Sequence, residues 1–278
     1  MKTRTIKIKK IFKHHLSQIF TIAEKNVKIQ LRFKFNLYSS IIFPFLPVIM
    51  STIVLMRFFS EGVTFGQWKD TNYLVFLFTA FNIELLRTII QKFPIEMRLE
   101  KYWKTLPALM IAPFNKMHLL LGIFLSHLII IAIPFAVFFL LACLISPISP
   151  ITIIFTIFIF LLIVLIFSGI GFFLGVFAIS EENYWRIFTI GLQLLFYVSC
   201  IAYPFELFPA EIQPIIRLNP FYHIFEILRV TWLENNILLT ITNHPFQFII
   251  LIGTAIIVPL ISIYFFKIIY DKFGIVGY

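Results

Sequence analysis

The residues of this chain that could do chemistry are a few ionisable side chains set in apolar sequence. Glu226 and Arg229 stand three positions apart in a stretch rich in Phe, Ile and Leu, and Glu84 and Arg87 repeat that spacing in an earlier apolar run. Residues three apart on a helix share a face, and charges in apolar surroundings are costly unless they pair. We therefore expect Glu226 and Arg229 to pair with each other or across a second copy of the chain. Glu84 and Arg87 would form either a structural pair or a functional one.

Motifs for bond-making chemistry are absent from the sequence. It contains no G-x-x-x-x-G-K-[ST] phosphate loop, no H-E-x-x-H zinc pattern and no D-x-x-D pair to hold Mg²⁺ and a diphosphate. The histidines are scattered, and Cys143 and Cys200 lie singly in apolar runs without disulfide or metal spacing. The sequence therefore predicts a chain that is not an enzyme and holds no cofactor or metal of its own. An intramembrane enzyme is the alternative from another class.

Composition and charge place the chain in a membrane. Of its 278 residues, 60% are hydrophobic and 13% are charged, whereas a soluble domain carries about 25% charged residues.

Residues 1–36 hold ten Lys and Arg against one acid, Glu24. We predict that this segment is an amphipathic helix on the membrane surface, with its cations at lipid head groups, rather than a nucleic-acid-binding arm. Its apolar stripe is Phe12, Leu16, Ile19, Phe20, Ala23, Val27 and Leu31.

Six apolar runs predict six transmembrane helices in one domain, 37–278. They cover 37–59, where Pro44 and Pro47 predict a kink, and 72–91, 118–145, 151–180, 187–203 and 246–270. The predicted inner segments hold eighteen Lys and Arg against four in the outer segments, so the positive-inside rule places both termini in the cytoplasm. In the fourth run, Gly171-x-x-x-Gly175 would let another helix approach closely, from this chain or from a second copy.

Residues 204–233 predict a re-entrant hairpin between the fifth and sixth spans. Four prolines divide this segment, and Asn219 before Pro220 is typical of an N-cap followed by the first helical residue. The helix that follows, 221–232, would be roughly 18 Å long, too short for a hydrocarbon core of about 30 Å. The alternative is a surface loop with two interfacial helices. Two apolar faces at helical spacing are expected to be buried: Ile212, Ile215 and Ile216, and Phe221, Phe225, Leu228 and Trp232.

Residues 92–116 predict a cytoplasmic segment, because five Lys and Arg fall within them. Pro94 is expected to open an amphipathic helix in which Glu100 and Lys104 have the favourable i, i+4 order. The apolar face of that helix would be Ile95, Leu99, Tyr102, Trp103 and Leu106. From the residues alone, a plain interfacial helix is also possible.

Two patterns resemble the type-2 permease family of ATP-binding-cassette (ABC) exporters. The first is L-N-P-x-x-x-x-x-E-x-x-R, formed by Leu218, Asn219, Pro220, Glu226 and Arg229. The second is R-x-x-x-x-x-x-T-L-x-x-L-x-x-A-P, formed by Arg98, Thr105, Leu106, Leu109, Ala112 and Pro113. The family's usual Gly before Thr-Leu is Lys104 here, and its usual acid after Thr-Leu is Pro107. The resemblance extends over nearly the whole chain.

The resemblance implies an all-α integral membrane protein that serves as the permease subunit of an ABC exporter in the cell (cytoplasmic) membrane. Two permease chains, here a homodimer, would work among membrane lipids with two separate ATPase subunits that carry the ATP and Mg²⁺. Residues 92–116 would be the coupling helix that docks on the ATPase, through Arg98, Glu100, Trp103, Lys104, Thr105 and Leu106. The outer hairpin would border the pathway with Asn219, Pro220, Glu226 and Arg229.

The resemblance leaves two classes of substrate open. We expect an amphipathic, lipid or drug-like molecule, and the alternative is a lipid-linked polysaccharide or teichoic-type polymer. Exporters of such polymers often carry a Leu-Gly-x-x-Trp-like signature entering the first span. This chain reads N-L-Y-S-S-I-I-F-P-F there, which favours the amphipathic class.

Overall fold

A computed structural model describes residues 2–104, 116–180 and 182–273. Apart from one backbone bridge between Phe65 and Trp68 and a 3₁₀ turn at Phe205–Leu207, all regular structure in these residues is α-helical, as predicted. The helices, in chain order, are α1 (Lys2–Arg32), α2 (Lys34–Ile42), α3 (Phe45–Ser60), α4 (Tyr73–Tyr102), α5 (Lys116–Ile145), α6 (Pro150–Ser180), α7 (Glu182–Tyr197), α8 (Gln213–Leu218), α9 (Pro220–Glu234), α10 (Ile237–Asn243) and α11 (Pro245–Phe273).

Four helices in the described residues are long and apolar enough to cross a membrane. They are α4, α5, α6 and α11, over Tyr73–Tyr102, Met117–Ile145, Pro150–Ala178 and Pro245–Ile268. The first and fifth predicted spans contain shorter helices. The first is divided at Phe43–Pro44, as the prolines predict, into α2 and a 16-residue α3. In the fifth, α7 also has 16 residues and ends at Tyr197, so each of these two helices is about 24 Å long.

Glycines bring α6 into close contact with both of its main neighbours, α4 and α11. A Cβ at Gly171 would lie 3.0 Å from the carbonyl oxygens of Ile89 and Ile90, and one at Gly169 would lie 3.0 Å from the backbone nitrogen of Pro259. The G-x-x-x-G pattern therefore serves packing within this chain, since the second glycine, Gly175, lies against Phe93 of α4. These contacts place α6 in the centre of the bundle.

Pro94 does not open a helix, and that prediction is wrong. Residues 73–102 form one continuous α-helix with Pro94 inside it. Proline removes one helical hydrogen bond, which normally breaks or kinks a helix. Here Phe93 and Pro94 are both buried, and Gly175 lies against them. Burial against α6 offsets the missing bond, so α4 continues from the bundle into the predicted coupling segment.

Helix α1 packs lengthwise on α5. A Cβ at Gly122 would lie 2.5 Å from the Ile22 side chain, and His118 Nδ1 lies 2.7 Å from Gln18 Oε1. Ala23 of the predicted apolar stripe is buried. Other members of the stripe, Leu16, Phe20 and Leu31, remain exposed. Part of the stripe therefore contacts protein, and the exposed part is available to lipid.

Candidate functional site

Asn219 joins the start of one helix to the end of another. Its side-chain oxygen accepts a hydrogen bond from the Phe221 backbone N–H at 3.0 Å, and Pro220 is the first helical residue, so the predicted N-cap of α9 is confirmed. Its Nδ2 donates to the carbonyl oxygens of Leu195 at 2.7 Å and Val198 at 3.3 Å. Asn219 is only 4% exposed, so one buried amide satisfies backbone groups from both helices.

Arg229 completes this arrangement from the other side of α9. Nη1 donates to the Cys200 carbonyl at 2.7 Å, and Nη2 donates to the Ile201 carbonyl at 2.6 Å. The guanidinium carbon lies 3.9 Å from the centroid of the Phe76 ring on α4, a cation–π distance. Arg229 is 1% exposed. Its charge is therefore stabilised by two carbonyl dipoles and an aromatic face.

The four carbonyl groups bound by Asn219 and Arg229 belong to the last turn of α7 and the residues after it. The last carbonyls of any helix lack helical partners, and leaving them unbonded in apolar surroundings is costly. At Cys200 the backbone φ is 59°, a left-handed conformation that turns the chain away from the helix axis. The two side chains of the L-N-P-x-x-x-x-x-E-x-x-R pattern thus stabilise an interrupted helix. We call this arrangement the α7–α9 joint.

The joint lies beside the middle of α6. The Phe167 ring is 5.7 Å from Phe196 at the end of α7 and 6.4 Å from Phe221 at the start of α9, between ring centroids. Phe167 is seventeen residues, about 25 Å, along α6 from Pro150. The other end of α9 bonds to the α5–α6 turn, where Asn235 Oδ1 accepts from the Ser149 N–H at 2.7 Å. Helix α9 therefore runs from the middle of α6 towards its beginning.

The hairpin buries one of its two predicted apolar faces completely. Phe221, Phe225, Leu228 and Trp232 are all buried, as predicted. On α8, Ile216 is buried, whereas Ile212 and Ile215 are exposed. A helix of six residues presents too short a face to bury all three.

Glu226 does not pair with Arg229 in the described part of the chain, so the prediction of a pair within the hairpin is wrong. Gln67 Nε2, in the loop between α3 and α4, donates to Glu226 Oε1 at 3.3 Å. The two charged residues share a helix face. However, the long Arg229 side chain turns inward, because it donates hydrogen bonds to the Cys200 and Ile201 carbonyls after α7. A pair across a second copy of the chain stays a prediction.

Glu84 and Arg87 do form the pair that their spacing predicts. Arg87 Nη2 and Nε donate to Glu84 Oε2 at 2.7 and 2.8 Å. The Arg87 guanidinium also lies 5.3 Å from the centroid of the Phe196 ring in the last turn of α7. This pair therefore connects α4 with the α7–α9 joint.

The predicted coupling residues are only partly presented to a partner. Trp103 is 53% exposed at the end of α4, whereas Glu100 is 9% exposed and lies 3.5 Å from Lys25 of α1, between Nζ and Oε1. The Arg98 guanidinium stacks over the Trp185 ring at 4.7 Å. Contrary to the prediction, Glu100 and Lys104 do not lie one turn apart on the same helix, because α4 ends at Tyr102 and Lys104 has a φ of 59°. Thr105 and Leu106 lie outside the described residues.

Reasoning from the sequence missed the acceptors at the joint. The carbonyl groups of Cys200 and Ile201 are present in every residue type, so nothing in the sequence distinguishes them. Likewise, nothing in the sequence identifies Gln67 as the hydrogen-bond partner of Glu226. Within the described residues, no three His, Cys, Asp or Glu side chains gather where they could hold a metal ion. The site consists of two side chains, Asn219 and Arg229, that hydrogen-bond to backbone carbonyl groups.

Comparison with known protein families agrees with this architecture. The family model described as ABC-2 type transporter matches residues 17–233. This range includes the whole of α4 and α7 and nearly all of α9. A comparison with curated proteins finds no match. Because the family model covers more than half of the chain, we conclude that this membrane protein belongs to the ABC-2 type transporter family.

Proposed function

We propose that this chain forms the transmembrane pathway of an ABC exporter for an amphipathic, lipid or drug-like substrate, and that a separate ATPase chain drives it. The observation that carries the proposal is the α7–α9 joint, where Asn219 and Arg229 stabilise a helix that ends beside the middle of α6. In a membrane, interrupted backbone is tolerated where it is buried in protein or lines a water-filled cavity. Transporters place such discontinuous helices at their substrate pathways.

The proposed topology has six spans, two cytoplasmic termini and a hairpin that enters the membrane from the outer side. Two contacts support the hairpin: α9 bonds to the α5–α6 turn at Asn235 and meets Phe167 near Phe221. Cysteine labelling tests the topology. An impermeant outer reagent should label Ser149→Cys but not Lys272→Cys in intact cells, and outer labelling of Lys272→Cys would contradict it.

Coupling to ATP hydrolysis is proposed to run along α4. This helix is continuous from Tyr73 to Tyr102, so a push on the exposed Trp103 would move its whole length. At the other end of that path, Arg87 lies over Phe196 of α7, in the last turn before the joint. Motion of α4 would therefore reach the joint through one helix and one side-chain contact.

The working assembly is proposed to contain two copies of this chain and two ATPase subunits. Exposed apolar side chains on α3 and α7 are available to lipid or to the second copy: Ile49, Met50, Ile53, Ile187, Ile190 and Leu194. Such exposed apolar faces are suited to a pathway completed by a second permease.

Co-expression with a P-loop ATPase of the ABC exporter type, from the same genome, tests the proposal. We expect a complex of equal chain numbers whose ATP hydrolysis changes when a fluorescent single-chain amphiphile is added. An ATPase that purifies without this chain, with unchanged hydrolysis in its presence, would overturn the proposed coupling.

A further inference from the structure

A cavity of about 680 Å³ lies between α1, the α2–α3 break, α4 and His127 of α5. We propose that it binds a single-chain amphiphile with an uncharged, hydroxyl-bearing head group. Its volume falls in the range of about 300–1,000 Å³ typical of small-molecule sites. It follows one face of α4 from Glu84 to Trp103, nineteen residues or about 28 Å. This elongated form suits a chain-like ligand.

The walls of the cavity combine a long apolar surface with a polar one. Phe33 at the end of α1, Phe43 and Pro44 at the α2–α3 break and Ile95 on α4 provide the apolar part. Within the described residues, the side chains of Phe33, Phe43 and Ile95 are exposed. A hydrocarbon chain placed there would bury them.

The charged groups in the wall already neutralise one another. Three cations face three carboxylates: Lys25 lies 3.5 Å from Glu100, Arg87 lies 2.7 Å from Glu84, and Lys92 lies 2.7 Å from Glu96. A charged ligand head would have to compete with one of these pairs or remain unpaired in surroundings of low dielectric, which is costly. The wall therefore favours an uncharged head group.

Two buried polar atoms in the wall have no hydrogen-bond partner among the described residues. His127, 4% exposed, lies with Nε2 2.7 Å from Thr88 Oγ1, and that hydroxyl donates its own proton to the Leu85 carbonyl at 2.6 Å. Nε2 of the neutral ring is therefore the donor, and Nδ1, which has no partner, is an acceptor. Gln30 Nε2, on α1, is a donor without a partner.

A hydroxyl-bearing head group supplies what these two atoms lack. Buried polar groups are normally hydrogen-bonded, and a hydroxyl both donates and accepts. The hydroxyls of such a head group offer a donor for His127 Nδ1 and an acceptor for Gln30 Nε2, neither of which a quaternary ammonium head provides. Binding at this cavity needs no ATPase. A role in loading substrate for export would rest on the proposed function.

Photolabelling of the purified full-length chain in lipid nanodiscs tests the site. The reagent is a diazirine-bearing monoacylglycerol. Unlabelled monoacylglycerol, lysophosphatidate and alkyltrimethylammonium of equal chain length serve as competitors. We expect adducts concentrated in residues 25–33 and 84–103, and competition by the neutral compound at about tenfold lower concentration than by either charged one.

Three variants separate binding from folding. Ile95→Trp fills the cavity and should abolish the concentrated adducts. His127→Leu should weaken labelling about tenfold with little change in melting temperature, because removing the unsatisfied buried Nδ1 offsets the loss of the Nε2 bond to Thr88. His223→Leu is the matched control: His223 is also buried with an unpartnered Nδ1, but it lies in α9, outside the cavity, so labelling should not change.

Two results would overturn the site: adducts spread evenly over the lipid-facing helices, unchanged by Ile95→Trp, or stronger competition by a charged amphiphile. Because the measurement omits the ATPase, failure to bind would leave the proposed export function standing. Conversely, failure of ATP-driven export would leave a positive binding result intact.

Discussion

The guanidinium of Arg229 donates hydrogen bonds to the carbonyl oxygens of Cys200 and Ile201, at 2.7 and 2.6 Å. The donor and its acceptors are separated by 29 and 28 residues. The last residue of the L-N-P-x-x-x-x-x-E-x-x-R pattern therefore stabilises the preceding helix as well as its own. This gives a physical reason for an arginine at that position, since only a planar, forked donor reaches two successive carbonyls.

Replacing Arg229 should destabilise the chain strongly. Hydrogen bonds to a charged group contribute about 1.5–3 kcal/mol each, so Arg229→Ala should cost about 3 kcal/mol or more in the free energy of unfolding. Arg229→Lys should recover part of this, because an ammonium can bond one of the carbonyls. Thermal unfolding of the purified chain in detergent measures both variants.

Glu226→Gln provides the control, because a glutamine can still bond Gln67 and should melt close to the unmodified chain. Since the hydrogen bonds of Arg229 run to backbone carbonyls and not to Glu226, exchanging the two charges in a double variant should not restore the stability of the unmodified chain. A double variant that melts at the temperature of the unmodified chain would contradict the role assigned to the carbonyl bonds.

Asn219 has two separable roles, and its variants should show this. Asn219→Asp keeps the oxygen that caps α9 but loses the N–H donor and sets a carboxylate against the Leu195 and Val198 carbonyls. At an ordinary N-cap, Asp and Asn are nearly equivalent. Here we expect Asn219→Asp to lower the melting temperature at least as much as Asn219→Ala. A melting temperature unchanged in Asn219→Asp would restrict Asn219 to N-capping.

Local signals predicted the local structure, and long-range packing decided the rest. Residues close together in sequence were enough to predict three features: the Asn219-Pro220 cap, the Glu84–Arg87 pair and the break at Pro44. Pro94 was mispredicted because burial against Gly175 of α6 outweighs its helix-breaking tendency. Likewise, Arg229 binds carbonyls brought near by the tertiary fold, so the nearest opposite charge in the sequence, Glu226, was the wrong partner.

Lys104 should be a position where glycine stabilises the chain. It has a φ of 59°, and the left-handed region costs a residue with a Cβ about 1–2 kcal/mol, partly offset in the variant by glycine's larger entropy when unfolded. Lys104→Gly should raise the melting temperature slightly. Lys101→Gly, in the last turn of α4, should lower it, because glycine costs about 1 kcal/mol inside a helix. Shifts of equal sign would contradict the strained conformation.

Trp103 and Glu100 should differ in what their loss affects. Trp103→Ala removes an exposed side chain, so the chain should melt normally while amphiphile-stimulated ATP hydrolysis of the complex falls severalfold. Glu100→Gln breaks a pair with Lys25, which is half exposed, and should cost about 1 kcal/mol or less. Measuring hydrolysis and melting for both variants distinguishes the roles. Normal stimulation in Trp103→Ala would remove Trp103 from the coupling surface.

Transport itself is the most direct test of the proposed function. Inverted membrane vesicles that contain this chain and its ATPase should accumulate a fluorescent amphiphile when ATP is added. Accumulation should disappear when either chain is omitted or when the phosphate-loop lysine of the ATPase is replaced. ATP-dependent accumulation that is equal in vesicles with and without this chain would contradict its role as the export pathway.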